Sequence, residues 1–470
     1  MKLSSYLSAL ALLSFPSVYA EKPNIVYIIA DDLGYGDLSC YGQKGFETPH
    51  LDQMAKSGIR FTSHYSGSTV CAPSRSCLMT GQDSGNTYIR GNGDYQLRAE
   101  DFTLAELLKQ AGYKTGMVGK SCVAGNSNDP QAPHEGGFDY FWGTLSHRTA
   151  HYHYPKSVHS QGKEVMIEGN DGKRGSVYIQ DEYTKRSLEF IERSKDEPFF
   201  LLLSYSVPHA SLQAPKEAVE PFVGKFEKEK RYKGGHYVAC EHVKATHAAM
   251  VTRMDQQIGD VVAKLKELGI EENTLICFTS DNGSHVEGGY HYKLLNSNGV
   301  LRGGKRDLYE GGIRVPFIVK WPKVISAGRE TDHASAFWDF FPTVCEMLGE
   351  DAPEQTQGVS FLPLLKGKEQ LKHAYLYWEF QGEDGKVALR KGDWKIVRVN
   401  VNPNGKSSKQ KLKAKEQAVS KYELYNLAED IREKNNLAQK YPEKVSELVK
   451  LLKSARTESP EAGWNFTGKL

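Results

Sequence analysis

The chain has 470 residues, and its 60 lysines and arginines nearly balance 58 acidic residues, for a formal net charge of +2. That length can bury a large core and more than one structural unit. The charge balance argues against a dedicated nucleic-acid binder, whose footprint is strongly basic.

The N-terminus carries Lys2, a mostly apolar run from Leu7 to Leu13, and Val18-Tyr19-Ala20 as a small-residue cleavage site. Residues 1–20 read as a secretory signal peptide. Their apolar run is too short to span a bilayer, and no later segment is apolar enough. The expectation is a secreted or periplasmic protein with no membrane span. The seven cysteines are scattered and odd in number, which is no disulfide framework. Cys277 and Cys345 lie in apolar runs and are predicted core residues.

Asn24 to Ala30 is a mostly apolar run that stops at Asp31-Asp32, as expected of a strand buried on both faces in a parallel sheet. Cys71-Ala72-Pro73-Ser74-Arg75 then starts a helix. Pro73 is tolerated in its first turn, and Gly81 can supply the left-handed cap. Cys71 therefore stands at a helix N-terminus, where free N–H groups and the dipole attract an anion. A capped helix with an incidental cysteine fits the spacing equally well. Asp101 to Gly112 predicts a helix, with Asp101 as N-cap and Leu104, Leu107 and Leu108 as its buried stripe. A strand over Tyr113 to Gly119 delivers Lys120.

The alternation continues with a helix over Tyr183 to Lys195, a strand over Phe199 to Tyr205, and Pro208-His209 beyond it. Val251, Met254, Ile258, Val261, Leu265 and Leu268 form a helical stripe closed by Gly269. It feeds a strand over Thr274 to Ser280 that ends at Asp281-Asn282. Ile313 to Trp321 is a further strand-like run, interrupted by Pro316. These elements predict an α/β fold with a large, mostly parallel sheet sandwiched by helices over residues 21–350. Ligands of such sheets bind outside the carboxyl ends of the strands, and here those ends carry Asp31-Asp32, Lys120, His209 and Asp281-Asn282. Residues 351–470 read as a linker followed by a smaller α+β subdomain. Its antiparallel strands are expected at Tyr375 to Phe380, Val387 to Lys391, Asp393 to Val399 and Tyr422 to Asn426, with a helix from Pro442 to Leu452. The lysine-rich stretch Lys406 to Lys415 reads as a solvated loop or a contact for a polyanion.

Asp31, Asp32, Asp281 and Asn282 offer only hard oxygen ligands, which favour calcium or magnesium over zinc. Each pair alone could equally be a cap or turn. Arg75, Lys120, His209 and Lys305 suit an anionic oxygen cluster.

With these residues in view, the chain resembles the type I, formylglycine-dependent sulfatases of the alkaline phosphatase superfamily. The resemblance runs through Ala30–Asp37, Thr48–Asp52, the Cys71–Arg75 signature with Thr80-Gly81, Gly119-Lys120, Pro208-His209, Ser280–Gly283, Lys305–Pro316 and Tyr422–Leu427. It implies an arylsulfatase-like hydrolase whose Cys71 is converted by a maturation enzyme to formylglycine (3-oxoalanine), the hydrate being the nucleophile. It implies one calcium ion on Asp31, Asp32, Asp281, Asn282 and the modified Cys71. Arg75 would hold the hydrate, Lys120 and Lys305 the sulfate, and His209 would protonate the leaving alcohol.

The chain departs from the family at Gly119-Lys120-Ser121-Cys122-Val123-Ala124, where many members carry a histidine two residues after the lysine. Arg148-Thr149-Ala150-His151-Tyr152-His153-Tyr154-Pro155 is similar to a segment of a branch that also lacks that histidine. His151 is therefore expected to enter the site as base or sulfate ligand, the alternative being a histidine-rich surface loop. Trp142, Tyr152, Tyr154 and Trp378 fit a sulfated carbohydrate as substrate, or simple packing. The competing functions are a phosphoester hydrolase of the same superfamily and a non-catalytic binder of sulfated glycans.

Overall fold

A computed structural model describes residues 22–382, 385–401 and 422–465. The predicted signal peptide and the lysine-rich stretch Lys406 to Lys415 lie outside them. The strands of the main sheet are β1 Asn24–Asp31, β2 Ile59–Tyr65, β3 Lys114–Lys120, β4 Tyr140–Thr144, β5 Ser157–Ser160, β6 Lys163–Met166, β7 Phe199–Pro208, β8 Thr274–Ser280, β9 Arg314–Lys320, β10 Arg329–Thr331 and β11 Ser335–Ala336. They lie in the order β10-β2-β9-β8-β1-β7-β3-β4-β5-β6, with β11 also on β2. The five central strands, β8-β1-β7-β3-β4, are parallel, and antiparallel β9 and β5 flank them.

Pro316 is accommodated inside β9. The register of β2 breaks between Phe61 and His64, opposite it, so no ladder hydrogen bond is asked of a residue without an N–H.

Alternation along β1 decides the layers. Val26, Ile28 and Ala30 join one core with Leu201 and Leu203, while Ile25, Tyr27 and Ile29 join the opposite core with Phe200 and Leu202. Among the described residues, the α-helices longer than a single turn are α1 Pro49–Lys56, α2 Cys71–Thr80, α3 Leu104–Gln110, α4 Ile179–Ser194, α5 Val243–Glu267, α6 Phe340–Leu348 and α7 Pro442–Ser454. Helices α1, α4 and α5 cover the first face; α2, α3 and α6 cover the second.

Several boundaries move. Helix α4 starts at Ile179, four residues before the expected Tyr183. Helix α3 is capped by Thr103 and not by Asp101, because Thr103 and Glu106 complete a reciprocal capping box. The Asp101 carboxylate instead holds Arg98 through three hydrogen bonds. Helix α5 starts at Val243, ahead of its apolar stripe, since its first turns bury Lys244, Thr246 and His247. Strand β7 runs on to Pro208 through the buried Ser204 and Ser206.

The C-terminal segments form the expected antiparallel sheet, β12 Leu376–Phe380, β13 Lys386–Lys391, β14 Trp394–Val399 and β15 Glu423–Asn426. Leu448 and Leu452 of α7 pack on one face of it with Leu389 and Ile396. The other face shares a core with Tyr65, Val70 and Ile313 of the main sheet and its loops.

Candidate active site

Strands β1, β3, β7 and β8 end on the same edge and bring their terminal residues together. Just past β1, Asp32 has a left-handed backbone (φ 65°) and donates its N–H to Asp281 Oδ1 at 3.0 Å. Ser280 Oγ accepts from Leu33 N–H at 2.9 Å, so the ends of β1 and β8 are cross-tied. Lys120 follows Gly119, whose φ is +111° and whose absent Cβ would sit 1.9 Å from the Ser204 carbonyl oxygen. Only glycine lets β3 approach β7 this closely.

Helix α2 begins at Cys71, after an extended Val70 that offers no side-chain cap. Asn92 supplies one from a distance, its Oδ1 accepting from Ala72 N–H at 3.1 Å. Gly81 closes the helix with φ 68°, as its sequence implies. One turn after Cys71, the Arg75 guanidinium donates to Asp281 Oδ2 from Nε at 3.0 Å and from Nη2 at 2.8 Å, and to Ser204 Oγ at 2.5 Å. It also meets Cys122 Sγ at 3.3 Å.

Two lysines reach the carboxylates from opposite sides. Lys120 Nζ donates to Asp31 Oδ2 at 2.6 Å, and Lys305 Nζ donates to Asp32 Oδ2 at 2.8 Å and to His209 Nε2 at 2.9 Å. His209 Nδ1 bonds the Ala210 carbonyl. A carbonyl only accepts, so Nδ1 carries the proton and Nε2 offers its lone pair to the Lys305 ammonium. Cys71 Sγ lies 3.4 Å from Asp31 Oδ1.

Burial and charge set the protonation of this cluster. Burial alone would raise Asp31, but Lys120, His209 and Arg75 hold it well below the usual carboxylate range. Asp281 goes the other way: burial, then the Asp31 charge, raises it in spite of Arg75. Burial, with Lys305 beside it, pulls His209 well down. Burial opposes the Lys305 charge, but Asp32 and its other anionic neighbours hold it well above the usual lysine value. Burial and then Asp31 push the Cys71 thiol far up, so as an unmodified cysteine it is no thiolate.

The donor set fits a hard cation. Asn282 Nδ2 donates to Asp32 Oδ1 at 2.7 Å, which leaves its own Oδ1 buried without a partner among the described residues. One ligand atom each from Asp31, Asp32, Cys71 and His209 lies within 4.8 Å of the others. Three converging carboxylates, one of them raised by its neighbour's charge, and an orphaned amide oxygen are what a divalent ion satisfies.

A cavity of ≈ 230 Å³ opens onto this cluster, lined by Cys71, His147, His151, His209 and Lys305, with Arg148, Tyr237, Glu287 and Arg306 around it. The model of the Sulfatase family matches residues 23–350. This chain belongs to the sulfatase family. A second model, N-sulphoglucosamine sulphohydrolase, C-terminal, matches residues 303–459. The sulfatase is 30% identical to an N-acetylgalactosamine-6-O-sulfatase of Bacteroides thetaiotaomicron, over 93% of this chain and 94% of that protein. It is 30% identical to human steryl-sulfatase, over 76% of this chain and 72% of the relative. Among solved structures it resembles Ps i-CgsB in complex with k-i-k-neocarrahexaose, with 26% identity and a TM-score of 0.77 over 95% of this chain and 98% of that one. The chain is a sulfuric ester hydrolase.

The structure brings together all of Asp31, Asp32, Cys71, Arg75, Lys120, His209, Asp281, Asn282 and Lys305. His151 also reaches the cavity, its ring stacked on His209 with centroids 4.0 Å apart and planes at 11°. Trp142 and Trp378 are buried in cores, so their aromatic signal reports packing. Tyr154 packs against Tyr178 with the rings tilted, centroids 5.7 Å apart and planes at 49°.

Several site residues have no motif in the sequence. Ser204 anchors Arg75 from inside β7, and a lone polar residue in an apolar strand run was the available signal. Glu287 faces Lys305 at 3.5 Å and pairs with Arg306, and Tyr237 OH donates to Glu287 at 3.0 Å. His147 is buried at the back of the cavity. Glu287 and Tyr237 sit in loops and His147 on a four-residue helical turn, where neither spacing nor periodicity marks them.

Proposed function

We propose that this sulfatase hydrolyses a sulfate monoester of a carbohydrate, with formylglycine derived from Cys71 as nucleophile and a calcium ion on Asp31, Asp32, Asp281, Asn282 and residue 71. The observation that carries the reading is the convergence of Cys71, Lys305 and His209 on one cavity, with ligand atoms of Asp31 and Asp32 within 4.8 Å of those of Cys71 and His209. The carbohydrate assignment leans on the Bacteroides relative and on the saccharide-bound neighbour. Conversion of residue 71 requires a maturation enzyme, and the leader-like start, from Lys2 through Ala20, fits export.

The chain's own residues divide the work. Lys120 and Lys305 stand on either side of the carboxylates, where they can hold sulfate oxygens and stabilise charge gathering on them; one preorganised donor of this kind is worth about 10²–10³ in turnover. Arg75, locked to Asp281 and Ser204, fixes the first turn of α2 and with it residue 71. The hydrogen bond between Lys305 Nζ and His209 Nε2 keeps a proton at the site where the leaving alcohol would depart. His151, lying flat on His209, shields and orients that ring. When present, formylglycine would supply an aldehyde hydrate, whose first hydroxyl attacks and whose second allows sulfate to leave. The cation would supply charge that lowers the barrier to forming the attacking oxyanion.

The test is a parallel series of chromogenic sulfate and phosphate esters together with sulfated oligosaccharides. Sulfate release from the oligosaccharides is expected. Exclusive phosphate release, or binding of oligosaccharides without turnover, would overturn the reading.

A further inference from the structure

Cys122 occupies the position where a histidine is missing, and it does not face the nucleophile. Its thiol turns towards the Arg75 guanidinium at 3.3 Å and Ser204 Oγ at 3.7 Å, and it packs in the core beneath the sheet. A deprotonating partner for residue 71 must come from elsewhere on the cavity wall.

Two histidines other than His209 line the cavity deeply enough to qualify. His151 is stacked on His209, the residue that Lys305 engages, and so belongs to the side where the alcohol leaves. His147 comes from the short helical turn His147–Ala150 and is 4% exposed. Burial, then the Lys120 and Arg75 charges, hold it well below the usual imidazole value, so its ring is neutral. Its Nε2 is 3.0 Å from the Ser121 carbonyl. Since a carbonyl only accepts, Nε2 must carry the ring proton, and Nδ1 is left with a bare lone pair. That Nδ1 is buried and has no partner among the described residues. A buried acceptor left unpaired is costly, and the histidine that carries it lines the same cavity as Cys71.

We infer that His147 is the proton acceptor for residue 71, its tautomer fixed by the Ser121 carbonyl and its free Nδ1 replacing the histidine absent at Cys122. The inference rests on the proposed formylglycine chemistry. As the new O–S bond forms and the ester S–O bond breaks, the attacking hydroxyl gives its proton to Nδ1. The departing alcohol oxygen takes a different proton, from the Lys305–His209 pair. That pair recovers it from the second hydroxyl of residue 71 as the C–O bond to sulfate breaks and the aldehyde re-forms, and water then rehydrates the aldehyde. The His147 imidazolium then returns to neutral by releasing its proton to solvent, which matches the net proton released when a sulfate monoester is hydrolysed.

The experiment compares wild type, His147→Gln and His147→Ala, each with modification of residue 71 confirmed by mass spectrometry. Glutamine can still donate an N–H to Ser121 but carries no basic nitrogen, so it separates a structural role from a chemical one. Both variants are expected to lose about 10²–10⁴ in kcat with KM nearly unchanged, and imidazole is expected to restore part of the His147→Ala activity. Full activity in His147→Gln would overturn the inference. A second readout needs no turnover: with ¹⁵N-labelled histidine in the unmodified Cys71 protein, His147 should show protonated Nε2 and bare Nδ1, and the opposite tautomer would also overturn it. An inactive wild type with confirmed formylglycine would instead sink the proposed function and leave the tautomer result standing.

Discussion

Replacing Arg75 by lysine probes the joint between the nucleophile's helix and the end of β8. Arg75 is fully buried, and its three short hydrogen bonds run to Asp281 twice and to Ser204 once. A lysine in its place keeps the charge, but its compact ammonium cannot span Asp281 and Ser204 as the guanidinium fork does, and two of the three contacts are counted as lost. Hydrogen bonds to charged groups contribute about 1.5–3 kcal/mol each, so losing two costs about 3–6 kcal/mol. Asp281, already raised by burial and by Asp31, would be left under-compensated in the middle of the oxygen cage. Urea unfolding of Arg75→Lys should therefore show a lowered midpoint. Activity measured well inside the folded baseline should fall by at least about 10², the typical effect of one preorganised charged donor. A variant within about 1 kcal/mol of wild type and with full kcat would refute the role given to this side chain.

Four further outcomes follow from the same geometry. His151→Ala should lower kcat/KM by roughly tenfold or more through loss of the ring that covers His209, and an unchanged kcat/KM would remove it from the site. EGTA should abolish turnover and lower the unfolding temperature, with calcium restoring both; activity indifferent to chelators would contradict the oxygen cage. Lys395, fully buried between Glu310 at 2.8 Å and Glu433 at 2.9 Å, ties the C-terminal sheet to the Lys305–Pro316 block. Lys395→Ala should cost about 3–5 kcal/mol in denaturant unfolding, and a cost below about 1 kcal/mol would show that the two parts are held together otherwise. His64, stacked on Phe317 and pulled down to about 3 by burial, binds no proton in the folded state at mild pH. Its contribution to stability is complete above about pH 6.5 and is lost as pH falls below that, roughly 2 kcal/mol by pH 5. His64→Gln should flatten that part of the pH profile, and an unaltered slope would locate the acid sensitivity elsewhere.

The site was legible wherever an apolar strand stops at a polar pair. Asp31-Asp32 after β1 and Asp281-Asn282 after β8 could be read because seven or more buried residues precede them and a parallel sheet gathers its carboxyl ends. Lys120 and His209 followed by the same rule. Periodicity said nothing of His147, which sits on a four-residue turn too short to show a helical stripe, or of Glu287, held in a loop by charges distant in sequence. Asp101 looked like a cap on residue type alone; the pairing of Thr103 with Glu106 three residues later carried the stronger local signal. Trp142 and Trp378 show the opposite failure, since aromatic residues fill cores as readily as they face sugars.

The central claim is that Cys71 is the precursor of the nucleophile. Mass spectrometry of the Cys71 peptide, from protein made in its own host and active on a sulfate ester, tests it most directly. The aldehyde or its hydrate is expected at residue 71 in the active fraction, and a Cys71→Ala protein is expected to fold but release no sulfate. Full sulfate release from protein carrying only unmodified cysteine would contradict it.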